Sequence, residues 1–395
     1  MLSDLKFAAR TLRQAPGVAA AAVLALGLGI GASTAIFSVL DGVLYKPLPF
    51  PHPEQLARIF QVPPKSGDND WSPANYFDLA RETRAFSSVA IWYDFAANLR
   101  TDESVERVPV VAISQTFFGT LGVRPALGRD FAPGEDLDGA ERMAIVGDDF
   151  FRRVLHGDAA AIGKTISLNN RPVRVVGVLP RGFLFAPRQG AQVYVPARFD
   201  ADDQKNRGSH YFNVIGRLAP GKSLSQAQPE LRLIAARLAE VDPAQNAGWS
   251  ARAVEFRDEL VGPVSGTLHL LLGAVLLLLL VACANVAGLL LARGAARGRE
   301  IAIRAAMGAG QGRLIRQLLV ESILVAAVGG IVGLCLAAWS VDALVALAPQ
   351  GLPRLQEIRV DARVAAFGIV LSVASGVAAG LWPAFQASRI GLVEA

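Results

Sequence analysis

Residues 270–282 read LLLGAVLLLLLVA, from Leu270 to Ala282, without one polar side chain. A helix on a soluble core keeps a polar face opposite its apolar stripe; this stretch has no such face. Extended outward, the charge-free run covers Leu268–Ala292. Crossing about 30 Å of hydrocarbon takes roughly 20 apolar residues, so the run is long enough to span a bilayer. Three further stretches share its character: Gly17–Leu44 with Asp41 as its one charge, Leu318–Ala348 with Glu321 and Asp342 near its two ends, and Val364–Gln386 with none. The reading is a membrane protein of four transmembrane α-helices, arranged 1 + 3, over 17–44, 268–292, 318–348 and 364–386. A large α+β extracytoplasmic domain, 45–267, is inserted between helices 1 and 2.

Composition agrees. Hydrophobic residues make up 52% of the 395 and charged residues 18%, against roughly a quarter charged in ordinary globular domains. That excludes a disordered chain, and two cysteines exclude a disulfide scaffold. The net charge of +5 is unevenly placed. Residues 45–267 carry 26 basic and 26 acidic side chains, so the excess lies outside them and no soluble region has a nucleic-acid footprint. Lys6, Arg10 and Arg13 precede the first span; Arg293, Arg297, Arg299, Arg304, Arg313 and Arg316 lie between the second and third; Arg389 follows the fourth. The connection between the third and fourth holds Arg354, Arg359 and Arg363, offset by Glu357 and Asp361. The positive-inside rule therefore predicts both termini in the cytosol and the inserted domain outside. Residues 1–16 are expected to form an interfacial helix, with Lys6, Arg10 and Arg13 as a basic stripe. A signal peptide cleaved near Ala35 is disfavoured, because the apolar run continues to Leu44.

The segment Lys46–Pro53 (KPLPFPHP) holds four prolines and is read as a stiff non-helical exit. Ser72–Phe86 has a helical pattern and Val89–Leu99 a strand pattern; His210–Leu218 alternates like a strand, and Ser225–Val241 reads as an amphipathic helix. Short strands are expected at Val108–Ile113, Met143–Val146, Thr165–Leu168 and Val173–Leu179, the last two separated by Asn169–Asn170 as a hairpin turn. Short helices are expected at Phe117–Leu121 and Asp148–Leu155. The flanking parts, about 54–107 and 208–260, are read as one split module, with 108–207 inserted in it. No catalytic constellation emerges. The four histidines are scattered without metal-ligand spacing, and 45–267 contains no cysteine. No metal and no cofactor are expected.

Within the spans, Gly27 and Gly31 present a small-xxx-small face for close helix packing. Gly329, Gly330, Gly333, Gly376 and Gly380 repeat the theme. Asp41, Glu321 and Asp342 lie near span ends, within reach of the interface, and Asn285 is expected to hydrogen-bond between helices. There is no GxxxxGK[ST] nucleotide loop. The stretch Gly298–Ser322 is amphipathic, punctuated by Glu300, Arg304, Arg313 and Arg316, broken near Gly308–Gly312, and runs into the third span.

Residues 300–322, EIAIRAAMGAGQGRLIRQLLVES, resemble the signature of FtsX-like ABC-transporter permeases, the group that contains the macrolide exporter MacB. Residues 4–17 (DLKFAARTLRQAPG) and 25–50 (ALGLGIGASTAIFSVLDGVLYKPLPF) resemble one half of the large duplicated permeases of acidobacterial type. The resemblance implies a MacB-like periplasmic core domain, an FtsX-like permease region over 268–395, and a bacterial inner-membrane location. It implies a cytosolic ABC ATPase subunit docking on Glu300, Arg304, Gly308, Arg313 and Arg316, and a second permease unit, either a homodimer partner or a missing duplicated half. A periplasmic adaptor is a further implied partner. The expected function is non-enzymatic: converting ATP hydrolysis on the ATPase chain into movement of the periplasmic domain, for efflux or envelope export. The alternative is an FtsX-like signalling or scaffold protein that regulates an envelope enzyme. The cargo is not legible.

Overall fold

The computed structural model describes residues 16–101, 104–183, 185, 191–296, 311–347 and 358–390. In chain order the helices are α1 (Pro16–Leu40), α2 (Pro73–Glu82), α3 (Phe117–Leu121), α4 (Asp148–Val154), α5 (Leu224–Val241), α6 (Pro243–Asn246), α7 (Phe256–Ala296), α8 (Gln311–Leu347) and α9 (Ala362–Ile390). The strands are β1 (Leu56–Val62), β2 (Phe86–Arg100), β3 (Val105–Ile113), β4 (Leu127–Gly128), β5 (Met143–Val146), β6 (Thr165–Leu168), β7 (Arg171–Val178), β8 (Val193–Pro196), β9 (Asn213–Leu218) and β10 (Ser250–Glu255). The chain divides into a helical unit (Met1–Lys46, Val264–Pro349 and Arg354–Ala395) and an α+β unit built on Pro47–Pro263. The interfacial helix expected over 1–16 lies, apart from Pro16, outside the described residues.

Among the described residues, four helical segments are long and apolar enough to cross a membrane: Pro16–Tyr45, Phe256–Ala292, Leu319–Leu347 and Ala362–Leu381. The second begins well before Leu268. Asp258, Glu259, Gly262 and Pro263 precede the charge-free run, yet the helix runs through Pro263. As the eighth residue of the helix, Pro263 lies past the first four N–H groups and leaves the Glu259 carbonyl without its intrahelical donor.

The α+β unit is organised by one strand. β2 is 15 residues long. Its first half pairs with β9, which continues through β1 to β10, giving a four-stranded antiparallel sheet. Its second half pairs with β3 on one side, and at Leu99 and Arg100 with β6 on the other. From β3 the order runs β8, β5, β7, and β7 pairs with β6. The path β2–β3–β8–β5–β7–β6–β2 is therefore closed: a six-stranded barrel that shares β2 with the open sheet. Two of its seams, β3–β8 and β5–β7, are parallel. The β6–β7 hairpin turns on Asn169 and Asn170, with φ of 51° and 60°. Two positive φ values are what a two-residue type I′ turn requires, and asparagine tolerates them.

Alternation along the strands sorts side chains into three cores. Val89 and Ile91 of β2 face α2 and α5, among Trp71, Tyr76, Leu79, Phe212, Leu231 and Leu238. Ala90 and Trp92 face an aromatic layer with Phe117, Phe118, Phe185, Tyr194 and Phe256. Ala97 and Leu99 point into the barrel, with Val108, Val110, Val146, Val173, Val175 and Val193. Phe150 and Phe151 of α4 pack into the same cluster; they follow directly on the C-terminal end of β5.

One buried cation crosses the open sheet. The Arg58 side chain is 3% exposed and donates to Asp70 Oδ1 (2.7 Å), Asn213 Oδ1 (2.6 Å) and the Val214 carbonyl (3.1 Å). It lies over the rings of Phe60 (4.6 Å) and Trp92 (4.8 Å). Burial pulls its pKa down; Asp70 opposes that pull. Sequence offered no sign of it, because β1 pairs with strands far along the chain.

The carboxylate of Glu230 on α5 holds the turn after α2. It accepts from Thr83 Oγ1 (2.7 Å) and from the backbone N–H groups of Arg84 (2.7 Å) and Ala85 (3.0 Å). Burial on its own pushes this group's pKa up; the three donors outweigh it and hold the pKa below the ordinary glutamate value. A depressed folded-state pKa means that the stabilisation is present above the unfolded value and is lost as pH falls through the folded one. Glu230→Ala is expected to cost about 1–3 kcal/mol at pH 7. Thermal unfolding of wild type and variant should converge as pH drops below about 4; a gap unchanged at pH 3 contradicts the assignment.

Candidate functional site

The helical unit is held by a glycine seam. Gly27 and Gly31 are one turn apart on α1, and Gly329 and Gly333 one turn apart on α8. A Cβ placed on Gly31 would lie 3.0 Å from the Gly333 carbonyl oxygen; one on Gly27 would lie 3.3 Å from the Gly329 oxygen and 3.1 Å from Val332 Cγ1. The relation is reciprocal, since a Cβ on Gly333 would lie 3.0 Å from both the Gly27 oxygen and the Gly31 nitrogen. Two backbones this close need glycine on both sides. α8 and α9 approach similarly: a Cβ on Gly376 would sit 3.0 Å from Ile323 Cα, and Ser372 Oγ donates to the Ala326 carbonyl at 2.7 Å. α7 joins α1 through longer side chains, with Leu279, Cys283, Val286 and Leu290 around Leu26 and Ile30.

At its domain-side end α1 passes into a π-helical turn, Asp41–Tyr45. Such turns occur often at functional positions in helices. Sequence placed Asp41 within reach of the interface; the structure buries it completely. Its Oδ1 accepts from Arg363 Nη1 at 3.1 Å, where the arginine side chain is 66% exposed. Asp41 Oδ2 has no hydrogen-bond partner among the described residues. A second pair lies beside the first, Lys46 Nζ to Asp361 Oδ2 at 3.0 Å. Asp361 also accepts from the N–H groups of Arg363 and Val364 at the start of α9. Its pKa is depressed, first by Lys46. One level deeper, Phe37 and Phe367 stack with centroids 4.0 Å apart. The ends of α1 and α9 are thus clamped by two ion pairs and a ring stack. The sequence signal for this clamp was Asp41 itself, a lone charge in a long apolar run. Its partner lies more than 300 residues away and has no local signature.

Of the proposed coupling residues, Glu300, Arg304 and Gly308 lie outside the described residues. Arg313 falls in the first turn of α8, and Arg316, one turn further, is exposed. Glu321, expected to reach the interface, is buried, whereas Asp342 is exposed. Asn285, expected to bond between helices, faces outward on α7 and has no hydrogen-bond partner among the described residues. It shares that outward surface with Leu278, Val281 and Leu289. Among the described residues no three His, Cys, Asp or Glu side chains are grouped so as to hold a metal ion. In the helical unit α1, α8 and α9 are interlocked.

Comparison with known proteins accords with this layout. Residues 19–234 match the MacB-like periplasmic core domain, and residues 272–392 match the FtsX-like permease C-terminal region. The chain is similar to the uncharacterized ABC transporter permease YknZ of Bacillus subtilis (strain 168), 25% identical over 297 residues, which cover 75% of this chain and 71% of that protein. It is similar to the macrolide export ATP-binding/permease protein MacB of Chromobacterium violaceum, 29% identical over 293 residues. That match covers 72% of this chain and 42% of that protein, so the chain spans less than half the length of this relative. Among solved structures, the periplasmic region of MacB from Actinobacillus actinomycetemcomitans aligns with 58% of this chain and 97% of its own, at 14% identity and a TM-score of 0.39. With the two matched regions in this order and the first covering more than half of the residues, the chain belongs to the FtsX-like ABC transporter permeases that carry a MacB-like periplasmic core domain.

Proposed function

We propose that this permease passes the power stroke of a separate cytosolic ATPase to its periplasmic domain, with both termini in the cytosol and substrate handled outside the helix bundle. The observation that carries the reading is the glycine seam. α8 begins within the amphipathic stretch Gly298–Ser322 and carries Arg313 and Arg316 in its first two turns, and α1 is the helix that leads into the domain at Pro47. Backbones in contact at 3.0–3.3 Å from would-be Cβ positions move together, since close-packed interfaces switch between discrete arrangements rather than deform. Axial or tilting displacement of α8 is then passed to α1. The sequence carries no nucleotide loop, which is why the ATPase is assigned to a partner chain. The arginine excess at Arg293–Arg316 supports docking of that partner and, by the positive-inside rule, the orientation.

A second permease unit is part of the proposal. An outward-facing asparagine deep in a span leaves an amide unsatisfied in lipid. Asn285 and the leucines beside it on α7 provide a surface on which a second copy would supply a partner.

The test is charge reversal at the coupling segment. E300R/R304E is expected to weaken co-purification with the cognate ATPase subunit by about tenfold or more, with the fold unchanged by circular dichroism. Undiminished association together with undiminished stimulation of ATP hydrolysis would remove the segment from the docking surface.

A further inference from the structure

The barrel has two unlike ends. At the β5 C-terminal end Phe150 and Phe151 fill it. At the other end the same strands splay around a cleft of about 440 Å³, within the size range of small-molecule sites, which often occupy the mouths of β-barrels. Its floor and walls are apolar: Phe95 and Ala97 of β2, Ala112 of β3, Val195 of β8 and Val173 of β7. Its rim is basic. Arg142 precedes β5, Arg171 opens β7 and Arg198 follows β8, so three different strands bring one guanidinium each to the same opening, against Glu141 as the one acidic lining residue.

The rim charges are incompletely neutralised. Glu141 is paired with Arg174 at 2.6 Å, outside the cleft lining. Arg198 donates to Asp138 (3.0 Å) and to the Ala140 carbonyl (2.9 Å). Arg142 and Arg171 have no ion pair within 4 Å among the described residues. The pKa of Arg142 is lowered, first by burial and then by the charges of Arg198 and Arg171, with Asp138 opposing. Crowding like charges at an opening is unfavourable unless something of opposite sign occupies it. Arg198 is also held at φ 59°, a left-handed conformation that is unfavourable for a non-glycine residue. Its backbone is fixed so that the side chain stands at the rim. Local strain of this kind gathers at ligand sites.

We propose that the barrel mouth binds a small amphipathic carboxylate, with its aromatic or acyl body on Phe95, Ala112 and Val195 and its anionic head on Arg142 and Arg171. The apolar floor rejects inorganic anions, which would be desolvated without compensation. The arginine rim rejects neutral and cationic amphiphiles. Planar guanidinium groups match a carboxylate in paired hydrogen bonds. The site lies wholly within the periplasmic domain and stands whether or not the chain works with an ATPase.

The experiment is photolabelling of the full chain in lipid nanodiscs with 4-benzoylbenzoate, with neutral benzophenone as the control, followed by peptide mass spectrometry. Label from the carboxylate is expected on peptides that carry Phe95–Ala97 or Val195–Arg198. Octanoate should compete with it and octanol should not. R142A/R171A is expected to lower the labelling about tenfold or more, and R142K/R171K, which keeps both charges but loses the paired hydrogen bonds, to lower it by less. V195W, which fills the cleft and leaves the rim intact, should block labelling as well. Both arginines are at the surface, so the alanine variant is expected to fold, and circular dichroism checks this. Labelling of the mouth that is equal for benzophenone and its carboxylate, or unchanged in R142A/R171A, overturns the proposal. Labelling confined to the transmembrane helices does the same.

Discussion

Replacing Gly333 with alanine is expected to destabilise the helical unit by about 1–3 kcal/mol, and with leucine by more. The new Cβ would meet two backbone atoms of α1, the Gly27 oxygen and the Gly31 nitrogen, each at 3.0 Å. Backbone atoms cannot rotate aside as a flexible side chain does, so the two helices must separate along the whole seam. Separation also releases the contacts of Leu26 and Ile30 in the buried cluster. Gly288 on α7 serves as the control, because a Cβ there meets nothing within 4 Å. G288A should be neutral or slightly stabilising, since alanine is favoured over glycine in a helix by up to about 1 kcal/mol. The measurement is denaturation of the purified chain in mixed micelles of rising dodecyl sulfate fraction. Equal midpoints for G333A and G288A would falsify the seam. If α8 drives α1 through this contact, G333A should also lower ATPase-coupled movement of the periplasmic domain while leaving ATPase binding intact.

The second large effect is expected at the clamp. Arg363→Ala strands the fully buried Asp41 carboxylate, whose Oδ2 already has no hydrogen-bond partner among the described residues. Removing one partner of a fully buried pair costs about 3–5 kcal/mol. The Arg363 side chain is largely exposed, so solvent moderates the effect, and about 1–3 kcal/mol is expected. The informative comparison is the double variant. D41N/R363A removes the charge as well as its partner, and it should be more stable than R363A alone. Should D41N/R363A prove no better than R363A, the penalty would come from lost packing of the arginine stem rather than from a stranded charge.

What sequence could and could not show divides along range. The four spans were legible because exclusion of charge is a local property of a run, visible at Leu270–Ala282 without knowledge of any neighbour. The Asn169–Asn170 turn was legible for the same reason: asparagine in pairs marks positive φ. Asp41 was visible as an oddity, but its burial depends on Arg363, from the other end of the chain. Barrel closure depends on two residue pairs, Leu99 with Leu168 and Arg100 with Ser167, that no periodicity announces. The start of α7 was hidden because Asp258, Glu259 and Pro263 fall outside the uninterrupted apolar run that marks the span. The side on which Asn285 lies was not legible because a helix has two sides, and hydrophobicity that is uniform around it does not say which one faces the bundle. The rim of the barrel mouth went unseen for a similar reason: Arg142, Arg171 and Arg198 are unremarkable singly and meet only through the register of three strands.

The pairing of β1 also bears on how the protein is made. Its partners are β9 and β10, and β9 begins roughly 150 residues after β1 ends. At about 5–20 residues per second, the ribosome needs on the order of ten to thirty seconds to produce them. During that interval the segment Leu56–Val62, almost wholly buried once folded, has both edges open and its apolar side chains uncovered. Newly made chains are therefore most vulnerable to aggregation before residue 213 emerges, and a stall in translation between β3 and β9 should be more damaging than one after β10.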